Sequence, residues 1–502
     1  MSLCLPATNG ILAHAPMEYA RHQPEKTLLY QIIDTYYPEF LSHLSASDKT
    51  LPVYVQKEFE AYLKCGRVEH GFFRVQCESC HDEHLLAFSC KCRGFCPSCG
   101  AKRMVESAAL LVDSVLPHRP IRQWVLSVPF PLRWLFSSDS RLLGKALGVV
   151  TRAISSYLIK KVGFSQKTAK TGAVTLIQRF GSALNLNVHF HMLFLDGVYE
   201  VDSDTLGNFH AVKPPTLGEM EILLHRMSER IARLLEREGF LERDMEQGTL
   251  LLDGVEEGVM NELQSSSISY RIAIGAQRGR RAFTLQTLPA MAESPDTNGQ
   301  ILAKAGGFSL HAGVSAKAHQ RDKVERLCRY IARPAVSTQR LRRLPDGKIS
   351  YELKTPYKNG TTHVLFEPLD FIARLAALVP KPRVHLTRFH GVFAPNSKYR
   401  AVVTGESQSK QNKTSVVEDK REVDEPRKAM NWAMRLKRVF NIDITVCKHC
   451  QGPMKIIACI EDRQVIDKIL AHINRQKNTL IPVIATLGIR APPTAIYARI
   501  NH

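Results

Sequence analysis

Apolar residues recur at helical spacing through residues 20–64, where TLLYQIIDTYYPEFLSHL and YVQKEFEAYLK predict two helices. Near residue 121 the texture changes. IRQWVLSVPF, VTLIQRF, LNLNVHFHMLFLDGV and YRIAIGA predict β-strands bounded by turn residues. LLGKALGVVTRAISSYLIKKV and EMEILLHRMSERIARLLEREG fall between them and predict helices. In the second, Leu223, Leu224, Ile231, Leu234 and Leu235 form one apolar side. Strands interleaved with helices predict a mixed α/β core over 121–400. A polar, charged stretch over 404–428 reads as a flexible linker. A small C-terminal module over 431–502 follows, with WAMRLKRVF and a helix at DRQVIDKILAHIN. No apolar run approaches the roughly 20 residues of a membrane-spanning helix. The start, MSLCLPATNGILAHAP, lacks the pattern of a secretory signal, so a cytoplasmic protein without a membrane partner is expected.

Charge narrows the partner. Lys plus Arg number 68 against 48 Asp plus Glu, a net +20. A chain this basic meets a polyanion, with nucleic acid ahead of an anionic membrane surface. The excess is concentrated: residues 311–355 hold 11 Lys/Arg against 4 Asp/Glu.

Cysteine narrows it further. Seven of the 12 cysteines fall between Cys65 and Cys99, and without an export signal such clustering points to metal rather than disulfides. Cys77-Glu-Ser-Cys80 and Cys96-Pro-Ser-Cys99 are two Cys-x-x-Cys knuckles with 15 residues between them, the spacing of a zinc ribbon. Each knuckle offers two thiolates, and two knuckles complete a tetrahedral shell. The zinc-binding domain is expected over 65–110, after an N-terminal helical region over 1–64. Cys65, His70, Cys90 and Cys92 lie in the same segment and could build a second site or replace a knuckle ligand. Cys447-Lys-His-Cys450 is a third pair without an obvious complement; Cys459 and His449 are its nearest helpers.

Between Ala183 and Tyr199 apolar residues alternate with Asn185, Asn187, His189 and His191. A strand sends alternate side chains to opposite faces, so Asn187, His189 and His191 share one. Two imidazoles about 7 Å apart along a strand can grip one metal ion. The same pair could also be plain surface histidines. Downstream, GFSLHAGV predicts a strand carrying His311, and a helix from about His319 to Arg333 ends at Pro334. Tyr330 sits among Arg326, Arg329 and Arg333, cations that can hold a phosphodiester and lower the cost of a phenolate. The alternative is a packed helical tyrosine.

Taken together, these segments resemble the transposases of the HUH superfamily. Within it the chain is similar to the rolling-circle insertion-sequence group of the IS91 type, and most to its single-tyrosine common-region (ISCR) branch. The resemblance rests on FSCKCRGFCPSCGAKRM, WVLSVPFPLRW, RFGSALNLNVHFHMLFLDGVY, FSLHAGV, LCRYIARPAVS, YELKTPYKNGTTHVLFEPLDFIARLAALVP and LTRFHGVFAPNS, in that order. Some relatives carry two tyrosines four residues apart; position 326 here is Arg.

The resemblance implies an α/β (α+β) HUH nuclease core with a central antiparallel sheet over 121–400, beside the helical and zinc-ribbon region and the C-terminal module. It implies structural zinc on Cys77, Cys80, Cys96 and Cys99, and a catalytic Mg²⁺ or Mn²⁺ on His189 and His191. The third ligand would be His311, with Gln178 as the alternative. Tyr330 would be the nucleophile of a 5′-phosphotyrosine intermediate. Arg326, Arg329, Arg333, Arg340, Arg342 and Arg343 would contact DNA that is single-stranded or folded into hairpin element ends. A homo-oligomer acting at the bacterial nucleoid fits that role. A rolling-circle replication initiator or relaxase would share the nuclease core, although no GxxxxGK[ST] helicase motif is present. A non-enzymatic zinc-ribbon DNA-binding protein would share the basic charge and the cysteines.

Overall fold

A computed structural model describes residues 23–203, 205–243, 248–250, 258–289, 302–404, 434 and 445–478. Its largest sheet has six strands: β1 (Ile121–Ser127), β2 (Gly172–Phe180), β3 (Leu186–Leu195), β4 (Leu302–Ala305), β5 (Phe308–Ala316) and β6 (Thr387–Gly391). They lie in the order β4-β5-β1-β3-β2-β6, and every neighbouring pair is antiparallel. Strand alternation gives the sheet two different faces. Val188, Phe190, Met192 and Phe194 of β3 pack into one core with helices α1 (Ser140–Lys161) and α2 (Leu217–Arg237). Leu193 and Leu195 point the other way, into a core with Val324, Cys328 and Ile331 of helix α3 (Arg321–Ile331).

Local chemistry sets the helix ends. Asp139 caps α1 by accepting hydrogen bonds from the Arg141 and Leu142 backbone N–H groups. Thr216 and Glu219 form a reciprocal capping box at the start of α2. α3 stops before Pro334, which cannot continue a helix. By length and composition alone α1 could cross a membrane, but Leu142, Leu143, Leu147, Ile154 and Leu158 are buried, so it is spent on the core. The strand expected at YRIAIGA does not form. Ile272, Ala273 and Ile274 are buried, and the Ala273 N–H goes to the Asp370 carboxylate at 2.9 Å instead of to a neighbouring strand.

A second core joins helices Leu28–Ser45, Val53–Lys64 and Pro368–Leu378 to strands Leu341–Arg343, Ile349–Glu352 and Thr361–Phe366. Cys65, Cys96 and Cys99 are part of it. The helix Pro97–Leu110 starts at Cys96 and packs along α3. A Cβ on Gly100 would lie 2.6 Å from the Pro334 Cβ, so only glycine permits this approach.

The chain divides into two compact units. One comprises residues 24–65 and 89–427 and holds everything described so far. The other, among the described residues, comprises 23, 66–88, 434 and 445–478. There Phe72–Cys77 pairs with Glu83–Ala87 on one side and Met454–Ile460 on the other. Helix Arg463–Asn478 lays Ile466 against Val68 and Phe72. The expected boundaries shift accordingly. The 65–110 segment is split between the units, and 431–502 is not a free-standing module, because its strand completes a sheet begun near residue 72. The linker expected over 404–428 and the run WAMRLKRVF lie outside the described residues, Thr404 and Met434 apart.

Arg122 and Asp196 form a buried pair, with Arg122 across from Phe194 on the sheet face that α1 and α2 cover. The guanidinium donates to both carboxylate oxygens at 2.9 and 2.7 Å and to the Ala312 carbonyl at 2.9 Å. Arg122→Ala leaves Asp196 buried and unpaired and should cost about 3–5 kcal/mol of unfolding free energy. Denaturant titration checks this; a loss under about 1 kcal/mol would mean the carboxylate finds water.

Candidate active site and cysteine clusters

His189 and His191 lie on the β3 face turned toward α3, and both are buried. Their ring centroids are 4.9 Å apart. The His189 Nδ1 sits 2.8 Å from the Asn187 carbonyl, which fixes the Nδ1–H tautomer and leaves Nε2 with its lone pair. The His191 Nδ1 lies 2.8 Å from the Gln123 side-chain amide nitrogen, which donates to it. The His191 Nε2 is buried without a hydrogen-bond partner. Burial pushes the His189 imidazole down to about 4, helped by the charges of Arg333 and Arg133 and opposed by the Asn187 hydrogen bond. Burial, His189 and Arg333 hold His191 well below the ordinary range. His189 thus offers a cation the lone pair on its Nε2; His191 offers one on its orphaned Nε2 when the Gln123 amide is turned over, so that its oxygen accepts from an Nδ1–H.

Gln178 stands directly across from His189 in the β2–β3 register. Its Nε2 donates to the Ile331 carbonyl at 3.1 Å, while its Oε1 is buried with no partner. His311 shares the same sheet face but faces Val125, which in turn faces His191. A whole strand, about 5 Å of sheet on either side, stands between the two histidines. Among the described residues the groups of three or more metal-capable His, Cys, Asp or Glu are two cysteine quartets, and no histidine trio is among them. The expectation of His311 beside the pair is therefore not met; the β1 strand intervenes.

Tyr330 lies half-buried near the end of α3, one residue before the Ile331 carbonyl that Gln178 holds. The Arg333 guanidinium lies 4.4 Å and the Lys354 ammonium 4.3 Å from the Tyr330 ring centroid. Burial alone would raise the phenol, but Arg333 and Lys354 outweigh it and lower it below its ordinary value. Arg333 thus acts on the phenol and on both imidazoles. Lys354 escaped sequence reading, since nothing local in YELKTPYK marks it.

The other arginines divide. Arg326 and Arg342 are exposed, and Arg329 has a buried Nε without a partner. Arg340 bonds the Tyr351 hydroxyl at 2.8 Å and the Glu352 carbonyl at 3.2 Å, and Arg343 donates to the Tyr36 hydroxyl at 3.2 Å.

The two knuckles do not share one site. Cys96 and Cys99 meet Cys65 and Cys90, whereas Cys77 and Cys80 meet Cys447 and Cys450. In the first quartet the sulfurs lie 3.7 Å (Cys65–Cys99), 3.4 Å (Cys90–Cys99) and 3.8 Å (Cys96–Cys65) apart. Without a cation the four thiols share protons: their mutual hydrogen bonds hold Cys99 far below the usual thiol range, while Cys65, Cys90 and Cys96 lie above it. Cys92 stays outside, its sulfur 3.9 Å from the Glu58 carbonyl. Strand pairing overrides the short sequence spacing: Phe72–Cys77 is drawn to Met454–Ile460, while Cys96 begins a helix beside Cys65. Neither helper of the third pair joins it. Cys459 faces Glu461, and the His449 ring points to Asp82 at 3.7 Å.

Because His189 titrates near 4 when folded and near 6.5 when free, the folded chain binds fewer protons between those values. Stability from the neutral ring is complete above pH 6.5 and lost as pH falls toward 4. Metal-free protein should therefore lose up to roughly 3 kcal/mol over that window that the His189→Gln variant does not lose. Denaturant titrations of both proteins across pH check it; parallel profiles would contradict a buried neutral ring.

Comparison with known proteins reaches the same segments. The family model described as "Putative transposase" matches residues 172–400, from β2 through Tyr330 to β6. The transposase zinc-binding domain of the IS91 type matches residues 32–128, which include the first cysteine quartet. Searches of curated proteins and of solved structures find no match. With a zinc-binding model and a transposase model matched in succession, and cysteine quartets fit for zinc in place, this DNA-binding chain belongs to the IS91 family of transposases.

Proposed function

We propose that this transposase is a metal-dependent HUH single-strand endonuclease and strand transferase, with Tyr330 as its nucleophile. One observation carries the reading. The residue opposite His189, Gln178, is hydrogen-bonded to the carbonyl next to Tyr330, so the tyrosine helix is tied to the histidine face. His189 and His191 would hold Mg²⁺ or Mn²⁺, and Gln178, with its orphaned buried Oε1, suits the third position better than His311. Such an ion would polarise the scissile phosphate as a Lewis acid.

The chain's own residues supply the rest. Arg333 and Lys354 favour the phenolate and screen it as it approaches an anionic phosphodiester. The Tyr330 oxygen forms a bond to phosphorus, and the bond from phosphorus to the 3′-oxygen breaks. The phenol's proton ends on the departing 3′-hydroxyl. One phosphodiester replaces another, so a later 3′-hydroxyl can reverse the step at a new site without ATP. Arg326, Arg329 and Arg342, which have no protein partner as strong as those of Arg340 and Arg343, are suited to phosphates along the strand. The substrate would be single-stranded or hairpin element ends. The work would be done in the cytoplasm at the nucleoid, with a second copy handling the partner strand because the chain offers one such tyrosine. The first quartet would carry structural zinc, since four thiolates leave no open position for chemistry.

Full-length protein incubated with a terminal single-stranded oligonucleotide and Mn²⁺ should give an adduct that survives denaturant, and Tyr330→Phe should lose it entirely. An adduct of equal yield in the variant would end this reading, and binding without any adduct would favour a non-enzymatic DNA-binding protein. Lys354→Met should slow adduct formation about tenfold near neutral pH and move its pH profile to the alkaline side, with Lys354→Arg restoring both. A slower reaction with an unmoved profile would assign Lys354 to DNA binding instead.

A further inference from the structure

We propose that Cys77, Cys80, Cys447 and Cys450 hold a zinc ion of their own, and that this ion fastens the C-terminal segment to the ribbon that begins near residue 66. The site is independent of the strand-transfer reading. It also lies beyond both family models, because Cys447 and Cys450 fall outside residues 32–128 and 172–400.

The four sulfurs all lie within 4.8 Å of one another. Cys77 and Cys450 are 3.4 Å apart and Cys80 and Cys447 are 3.5 Å apart, although the members of the first pair are 373 positions apart in the chain. These separations are far too long for disulfide bonds of about 2.05 Å. They approach the roughly 3.8 Å between sulfurs on a tetrahedral zinc with 2.3 Å bonds.

The backbone argues the same case. In the first knuckle the Cys77 N–H donates to the Asp82 carbonyl at 2.9 Å and the His81 N–H to the Cys77 carbonyl at 3.1 Å. In the second the Cys447 N–H donates to the Gly452 carbonyl at 2.8 Å and the Gln451 N–H to the Cys447 carbonyl at 3.0 Å. His81 and Gln451 both adopt the left-handed conformation, at φ of 60° and 61°. Each leading sulfur accepts backbone N–H groups: Cys77 from Ser79 at 3.4 Å and Cys80 at 3.5 Å, and Cys447 from His449 at 3.4 Å. Two sequences with no residue in common between their cysteines thus fold into the same turn, with sulfurs converging from opposite sides. Strain at two non-glycine residues is tolerated where something over-determines the turn, and a bound cation does so.

Contact between the knuckles is close. A Cβ on Gly452 would come 2.4 Å from the Ser79 hydroxyl oxygen and 3.2 Å from the Cys450 sulfur, and the Glu78 N–H donates to the Pro453 carbonyl at 3.0 Å. The antiparallel pairing that runs from Phe72–Ile460 to Cys77–Met454 delivers both knuckles to the same end of the sheet. Four protein ligands make the ion structural, and a clip across so long a loop restricts the unfolded chain strongly.

Elemental mass spectrometry of the purified full-length chain tests this. The wild type should carry two zinc ions, the Cys447→Ser/Cys450→Ser double variant one, and Cys459→Ser two. A wild type with one zinc, or a double variant that keeps two, overturns the proposal. Cobalt reconstitution of the wild type guards against a misfolded variant. Two equivalents with the absorption of a tetrahedral tetrathiolate site support the second ion, and saturation at one equivalent overturns it. None of these readouts involves DNA cleavage, so they stand or fall apart from the Tyr330 reading.

Discussion

The alternation of side chains along Leu186–Leu195 is the constraint on which the rest depends. Even positions, Val188 to Phe194, complete the core under α1 and α2. Odd positions carry His189 and His191 before returning to apolar Leu193 and Leu195 under α3. A one-residue slip would bury two imidazoles among phenylalanines and expose the apolar set to the tyrosine helix. The register that builds the core therefore also aims the imidazoles, and the strand cannot lose one role while keeping the other.

A second constraint is electrostatic. A buried phenol resists ionisation and a buried imidazole resists protonation, for the same reason: low polarisability around a charge. Placing one guanidinium, Arg333, where it reaches Tyr330, His189 and His191 answers both at once. It stabilises the phenolate and disfavours the imidazolium. The Ile331 carbonyl bonded to Gln178 keeps the helix that carries this arrangement seated on the sheet.

Local periodicity was readable. The histidine strand, the tyrosine helix and most helices and strands of the main core follow from patterns within about a dozen residues. YRIAIGA misled because a buried apolar run can serve a side-chain carboxylate, here Asp370, as readily as a sheet. Pairings across long sequence distances were not readable. Two Cys-x-x-Cys knuckles with ribbon spacing imply a shared ion, and nothing local warns that Cys77 and Cys80 turn to residues beyond 440 while Cys65 and Cys90 take their place beside Cys96 and Cys99. His311 was a reasonable third ligand by proximity to the tyrosine helix in sequence; the insertion of β1 between β5 and β3 separates it from His191. Lys354 reaches Tyr330 only through the return of the chain after the Leu341–Glu352 hairpin.

The contact between Gly100 and Pro334 has a mechanical consequence. Gly100 follows Cys99, and Pro334 follows Arg333, so the Gly100 backbone meets the Pro334 ring where one segment leads into a cysteine quartet and the other closes the helix that carries Tyr330. Glycine has no side chain and the proline ring is stiff, so little there cushions a displacement. A relaxation of the quartet would press on the segment that seats Tyr330, which makes the quartet a keystone for that helix as well as for its own surroundings.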